Sequence, residues 1–146
     1  MIATEVSCAA TAGTVHELLV DVDAWEVWSP HVARVDTTER RIAPGWTGGT
    51  RAFFAPFATP MVVDEVRDGG GYTWHSTLGP WRLDYDNAVD VVEGDGPAST
   101  IRFSAGLTGP AADLVERVVA PVSAFGQRRR MLRLAHLAEL LERRTA

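Results

Sequence analysis

The sequence has no lysine and only one cysteine, and each shortage excludes a type of chemistry. All 14 basic residues are arginine, so no side-chain amine is available to form a Schiff base with a carbonyl substrate. Cys8 has no second cysteine to pair with, which excludes an internal disulfide and a zinc site built from several thiolates. A lone thiol is typical of a reducing compartment, so we expect the protein to be cytoplasmic.

Basic residues are fewer than acidic ones, and the sequence has no long apolar run. The formal net charge is −5, whereas a protein that binds a nucleic-acid backbone normally concentrates basic residues on one face. We therefore expect no nucleic-acid partner. No apolar stretch approaches the roughly 20 residues that a membrane-spanning helix needs, so we also expect no stable membrane insertion.

Length and polarity patterns predict one domain that begins with a strand and two short helices. The chain has 146 residues, of which 46% are hydrophobic, so we treat 1–146 as a single domain. Residues 2–9 alternate in polarity, which indicates a strand and not a signal peptide. Thr14, with Glu17 three residues later, forms a capping-box pattern and predicts the start of a helix. A second helical turn is predicted over 21–28.

The remainder of the chain predicts an antiparallel meander followed by a long helix. Strand-length segments separated by glycine-rich turns occur at 32–42, 50–57, 60–68, 71–79, 82–93 and 99–107. After Pro110 the hydrophobic period changes to about 3.6 residues, which predicts the helix. Pro121 cannot donate a backbone hydrogen bond, so we expect a kink or a short break near Ala120. We expect the arginine runs at 128–130 and 143–144 to be solvated.

Two segments resemble a known superfamily. VHELLVDVDAWEVWSP at 15–30 is similar to its helix pair, and LAHLAELLE at 134–142 is similar to its closing helix. With the order of predicted helices and strands, they resemble the polyketide cyclase/dehydrase and lipid-transport superfamily, also called START-like or SRPBCC. The resemblance spans essentially the whole chain, although Ser99-Thr100 replaces the usual Gly-Thr. It implies an α+β helix-grip fold: a curved seven-stranded antiparallel sheet around a long C-terminal helix, with two short helices after strand one.

The resemblance also implies a cavity between the helix and the concave face of the sheet, lined mostly by apolar and aromatic side chains. Alternation along two neighbouring strands predicts the inward-facing sets, which are Tyr72, Trp74, Ser76 and Leu78, and Leu83, Tyr85, Asn87 and Val89. Of the adjacent Phe53 and Phe54, only one can face inward. The predicted ligand-binding residues are Trp28, Phe54, Tyr72, Trp74, Leu78, Trp81, Tyr85, Asn87, Val118, Val122 and Phe125.

Several of the remaining aromatic and histidine residues have more than one possible role. Trp25 is expected in the core, whereas Trp28 either packs in the core or gates the cavity mouth. Trp46 and Trp81 lie beside turn residues and either cap an entrance or cover the end of the sheet. No histidines stand at a metal-ligand spacing, so we predict no metal and no cofactor. By alternation, His75 faces away from the cavity.

These features favour a protein that binds a small hydrophobic molecule, such as a lipid, a quinone or a polyketide-like compound. The alternative is a polyketide cyclase or dehydratase that acts by general acid/base chemistry in the same cavity, with catalytic residues that the sequence leaves unknown. The discriminator is whether two or more of Tyr72, Tyr85, Arg51 and His75 converge within hydrogen-bond reach in the cavity, where convergence of an acid–base pair would favour the enzyme. The sequence has no positive sign of a protein-interaction module, and it leaves the oligomeric state undetermined.

Overall fold

One antiparallel sheet of seven strands dominates the computed structural model, which describes residues 1–29, 32–52 and 58–145. The strands are β1 (Ile2–Cys8), β2 (Val32–Asp36), β3 (Thr47–Ala52), β4 (Thr59–Arg67), β5 (Gly71–Leu78), β6 (Trp81–Val91) and β7 (Ser99–Thr108). Their order in the sheet is β1-β7-β6-β5-β4-β3-β2, so the first strand pairs with the last. The predicted curved, seven-stranded sheet is confirmed.

The helices also follow the predicted order. They are α1 (Ala12–Val20), a 3-10 turn (Val22–Ala24) that leads into α2 (Trp25–Trp28), and α3 (Ala112–Thr145). The long helix α3 packs mainly against β1 and β7, at one side of the sheet. Within the described ranges, no helix combines the length and the apolar character that crossing a bilayer requires.

The start of α1 differs from the sequence-based prediction. Its N-cap is Thr11, whose hydroxyl accepts a hydrogen bond from the Thr14 backbone nitrogen at 3.4 Å. Glu142 in α3 fixes this cap, because its Oε1 accepts hydrogen bonds from the Thr11 hydroxyl at 2.6 Å and the Thr11 backbone nitrogen at 2.8 Å. The predicted cap at Thr14 is therefore wrong, and the contact that decides the helix start spans most of the chain.

The long helix α3 is continuous from Ala112 to Thr145, so the break predicted near Ala120 does not occur. Pro121 lies inside the helix and its side chain is exposed. On the solvent side of a helix, water can hydrogen-bond a carbonyl that a proline leaves without a partner, which makes the helical path tolerable there.

The strand β2 is shorter than predicted, because the chain that follows it pairs with the helical segment instead. It ends at Asp36. Beyond it, the Val22 backbone nitrogen donates to the Arg40 carbonyl at 3.1 Å, and the Ile42 nitrogen donates to the Val20 carbonyl at 2.8 Å. The predicted extension of the strand to residue 42 is therefore wrong.

The strand predicted at 50–57 is described only in part. Its observed form, β3, begins at Thr47, whereas 53–57 lie outside the described residues. Both Phe53 and Phe54 fall in that segment. The prediction that Phe54 contacts a ligand therefore stays a prediction.

The C-terminal half of α3 closes one end of the sheet. Met131, Leu134 and Ala138 are buried in the core. Polar contacts tie the helix to β1, because the Thr4 hydroxyl donates to Gln127 Oε1 at 2.8 Å and the Cys8 thiol lies 3.7 Å from the Ala135 carbonyl oxygen. This docking fixes which side chains of α3 point toward the sheet.

Candidate functional site

The concave face of the sheet carries the inward set that alternation predicts. Across β5 and β6, Tyr72 pairs with Asn87, Trp74 with Tyr85, and Ser76 with Leu83, so these six side chains share one face. The Tyr72 side chain is only 1% exposed, and Ser76 and Asn87 are buried, whereas Thr77 on the opposite face is exposed. The predicted orientation of these two strands is confirmed.

Burial divides this face into two ends. At one end, Val89 and Ile101 are buried in the core, where α1 packs against β6 and α3 packs against β7. At the other end, Trp74, Leu83 and Tyr85 remain partly exposed. Because the second end is not filled by core side chains, it is the part of the concave face that a small molecule could contact.

A stacked aromatic pair forms the floor of this accessible end. The rings of Trp74 and Tyr85 lie 3.9 Å apart between centroids, with 7° between their planes. Such a pair offers a flat apolar surface with two polar atoms at its margin, the indole nitrogen and the phenol oxygen. It suits a flat or elongated apolar ligand better than a small polar one.

Three buried polar atoms near this floor have no hydrogen-bond partner among the described residues. They are Trp74 Nε1, Ser76 Oγ and Arg130 Nε. A buried polar atom without a partner costs about 1–3 kcal/mol, and native proteins contain few of them. Their occurrence on β5 and α3 makes this space a candidate site for the polar groups of a ligand.

Burial shifts the pKa values of three ionisable side chains at the site. Burial raises the pKa of Tyr72 well above its usual value, while Asn87 and the positive charge of Arg130 act in the opposite direction. Burial likewise raises the pKa of Tyr85 and lowers the pKa of Arg130. At neutral pH both phenols are therefore protonated donors, and the guanidinium remains charged because its unperturbed pKa is so high.

Comparison with known proteins rests on shape alone. No protein-family model matches the sequence, and no curated protein matches it. The hypothetical protein jhp0584 from Helicobacter pylori superposes with a TM-score of 0.77 at 14% identity, covering 94% of this chain and 86% of that one. The di-domain ARO/CYC BexL from the BE-7585A biosynthetic pathway gives 0.73 at 18% identity, covering 96% of this chain and 46% of BexL. Ara h 8.0201 gives 0.67 at 12% identity, covering 94% and 95%.

This chain has the helix-grip fold. The resemblance that residues 15–30 and 134–142 carry is thus confirmed at the level of fold. The chain spans about half the length of BexL, at 46% of that protein. A shared helix-grip fold does not by itself specify a ligand or a reaction, so function has to be argued from the side chains.

Sequence reasoning missed a charged residue of the helix-grip site. Arg130 belongs to the run 128–130, which we expected to be solvated. Arg128 and Arg129 are indeed exposed, but Arg130 extends toward Tyr72 and Tyr85. The available signal was its helical spacing, since Arg130 lies three residues after the buried Gln127 and four before the buried Leu134.

The residues proposed to distinguish an enzyme from a binding protein do not all converge. His75 faces away from Trp74, as predicted, and its Nδ1 lies 2.9 Å from Asp64 Oδ1 on the other side of the sheet. Arg51 is exposed on β3. Only Tyr72 and Tyr85 share the concave face, where Arg130 joins them.

Three of the tryptophans pack in the core of the helix-grip fold. Trp28 is buried, and its indole nitrogen donates to the Leu18 carbonyl at 3.3 Å. Trp25 is buried as expected, and its ring meets that of Trp46 edge-on, with centroids 5.7 Å apart. Trp46 is therefore a core residue and does not cap an entrance. Ligand contact by Trp28 stays a prediction.

The other predicted ligand-binding residues lie at the rim or on the outer surface. Leu78 and Trp81 are exposed at the hairpin between β5 and β6, where the Trp81 indole nitrogen donates to the Pro110 carbonyl at 2.9 Å. On α3, Val118 and Phe125 are exposed, and Val122 is 77% exposed. These helix residues do not line the buried part of the concave face, and any contact they make with a ligand stays a prediction.

Two grooves lie elsewhere on the described surface. One, of about 370 Å³, lies beside α1 and is lined by the ion-paired Glu17 and Arg41, together with Leu141 of α3. The other, of about 220 Å³, lies on the outer face around Arg102. Among the residues described, no group of three or more His, Cys, Asp or Glu side chains is placed to hold a metal ion.

Proposed function

We propose that the protein binds a small hydrophobic molecule, such as a lipid, a quinone or a polyketide-like compound, between the concave face of the sheet and α3. The observation that carries the proposal is the set of three unpartnered buried polar atoms beside the partly exposed Trp74–Tyr85 stack. A bound molecule that covers the stack and hydrogen-bonds these atoms would remove both the exposed aromatic surface and the unsatisfied groups.

The fold gives independent support at a coarser level. Its structural neighbours include the ARO/CYC protein BexL and the Bet v1-like Ara h 8.0201. Both resemble this chain in shape, which supports a ligand site between the sheet and the terminal helix. The choice of ligand rests on the side chains described above.

A cyclase or dehydratase is the second candidate. It is favoured by Arg130 and the protonated phenols of Tyr72 and Tyr85, because a guanidinium and phenol donors can stabilise negative charge that develops on a carbonyl oxygen. Against it, the inward-facing side chains of β5, β6 and β7 include no carboxylate and no imidazole to accept a proton. Binding without catalysis is therefore the function that we favour.

The binding proposal can be tested with N-phenyl-1-naphthylamine, a neutral dye that fluoresces in apolar sites. We expect saturable binding at a single site on the wild-type protein. Ala105→Phe would fill the accessible end, because Ala105 pairs with Tyr85 on the concave face, and we expect it to weaken dye binding by about tenfold or more.

The matched control is Ser104→Phe, which adds the same ring one residue away on the opposite face of β7. It should bind the dye as the wild type does, provided that both variants unfold at similar temperatures. Absence of saturable binding to the wild-type protein, or equal binding by the two variants, would count against a site on the concave face.

A further inference from the structure

We infer that the ligand is an organic acid, with an apolar body that covers the Trp74–Tyr85 stack and a carboxylate-type anionic oxygen that pairs with Arg130. This inference rests on the proposed binding function and specifies the chemistry of its ligand. It favours acidic ligands over neutral ones, because a neutral lipid or a neutral quinone would leave Arg130 without a counter-ion.

The guanidinium of Arg130 lies largely out of contact with water, near the two tyrosines. Arg130 Nε is inaccessible to solvent and has no hydrogen-bond partner among the described residues. The described titratable groups that influence the pKa of this side chain are Tyr85 and Tyr72, with no carboxylate among them. A cation that is largely removed from water and has no counter-ion is unfavourable, so an anion that reached Arg130 would bind with an electrostatic advantage.

Six other arginines among the described residues form ion pairs with carboxylates, whereas Arg130 forms none with a described residue. Arg40 contacts Asp23 at 2.7 Å, and Arg41 contacts Glu17 at 3.0 Å. Acidic residues are plentiful, as the net charge of −5 requires. The fold nevertheless places none of the described ones beside Arg130, which leaves its guanidinium available to an outside anion.

The unpartnered polar atoms near Arg130 can all donate hydrogen bonds. Trp74 Nε1 can only donate a hydrogen bond, Ser76 Oγ can donate one, and the planar guanidinium offers a fork that matches a carboxylate. A site with these donors and a buried positive charge is complementary to anionic oxygen. The adjacent ring stack supplies the surface for an aromatic or otherwise apolar body.

The test compares two competitors that share a ring system and differ in charge. 2-Naphthoate carries a carboxylate, whereas 2-naphthalenemethanol is neutral, and each is titrated against bound N-phenyl-1-naphthylamine. Because a hydrogen bond to a charged group is stronger than one between neutral groups, we expect naphthoate to displace the dye from the wild-type protein at an about tenfold or more lower concentration.

Variants then assign the preference to one side chain. Arg130→Met keeps most of the length of the side chain but removes its charge, and we expect the naphthoate preference to disappear while the dye still binds. Arg129→Met removes an exposed charge from the neighbouring position and should keep the preference. Arg130→Lys keeps the charge without the planar fork, so part of the preference should remain.

The outcomes separate this inference from the binding proposal. Equal displacement by the two competitors on the wild-type protein would overturn the organic-acid inference, whether or not Arg130→Met folds. A naphthoate preference that survives in a folded Arg130→Met variant would do the same. Failure of the wild-type protein to bind the dye at all would instead refute the binding proposal itself.

Discussion

His16 Nδ1 accepts a hydrogen bond from the backbone nitrogen of Gly71 at 2.9 Å, and this contact joins α1 to the first residue of β5. The imidazole is buried, and its acceptor nitrogen must be unprotonated to receive the bond. Gly71 has a φ of +87°, a conformation that other residues rarely adopt. One side chain and one backbone constraint thus fix how the first helix meets the sheet.

The first prediction concerns pH. Burial lowers the pKa of His16 below its usual 6.5, so the unfolded chain binds more protons than the folded one as the pH falls through that value. The free energy of unfolding should therefore be fully retained above about pH 6.5 and decrease on acidification below it. Urea unfolding at about pH 8 and about pH 5.5 measures this decrease, within the range where histidine titrates.

His16→Asn keeps a hydrogen-bond acceptor but cannot titrate, so the decrease between these two pH values should largely vanish. His136→Asn, at an exposed position of α3, is the control and should retain it. The pKa values of Glu17 and Glu142 are lowered from 4.5, so their contributions are lost only at more acidic pH. An unchanged decrease in His16→Asn would contradict the assignment.

The second prediction concerns the backbone at Gly71. A Cβ added there would lie 1.9 Å from the Asn87 carbonyl oxygen, and the positive φ adds strain. We expect Gly71→Ala to lower the free energy of unfolding by about 2–5 kcal/mol, combining overpacking with an unfavourable dihedral. Gly69→Ala is the matched control, because Gly69 also has a positive φ, but a Cβ added there would meet no atom within 4 Å beyond its chain neighbours.

For Gly69→Ala we expect the free energy of unfolding to fall by only about 1 kcal/mol, because the positive φ is the only source of strain there. Urea denaturation of the two variants side by side measures the difference. If both lost the same stability, the close approach of β5 to the Asn87 carbonyl would not be the cause.

The third prediction tests how α3 docks. Leu134 is 0% exposed and Leu132 is 47% exposed, although they are two residues apart on the same helix. Leu134→Ala should cost about 2–5 kcal/mol, because it leaves a cavity in the core. Leu132→Ala should change the free energy of unfolding by no more than about 0.5 kcal/mol. Similar losses in both variants would mean that α3 meets the sheet through a different face.

The fold was largely predictable because its signals are local. Alternation along 71–79 and 82–93 depends only on the two-residue period of a strand, and the structure keeps the same faces. The errors occur where distant contacts intervene. Glu142 moved the start of α1 to Thr11, and pairing of 40–42 with the helical segment shortened β2.

For the candidate site, the sequence predicted which strand residues face the helix, but it did not predict which residues of α3 face the sheet. The shared face of Trp74 and Tyr85 follows from the alternation of side chains along each strand, which can be counted in a single sequence. The exposure of Val122 and the inward position of Arg130 could not be predicted, because the hydrophobic period of a helix gives the direction of its apolar stripe and not the depth at which the helix lies. Where α3 rests against β1 and β7, an arginine can point inward while a valine points to solvent.

The sequence by itself determined the order of strands and helices, the parity of the sheet faces and the absence of amine chemistry, because each depends on residue identity or on spacing along the chain. Only the tertiary structure decided that Arg130 points toward two phenols, that Trp46 is in the core and that His16 accepts a hydrogen bond from Gly71. Those facts depend on which surfaces meet when a helix docks on a curved sheet, and docking is set by many contacts between residues far apart in the chain.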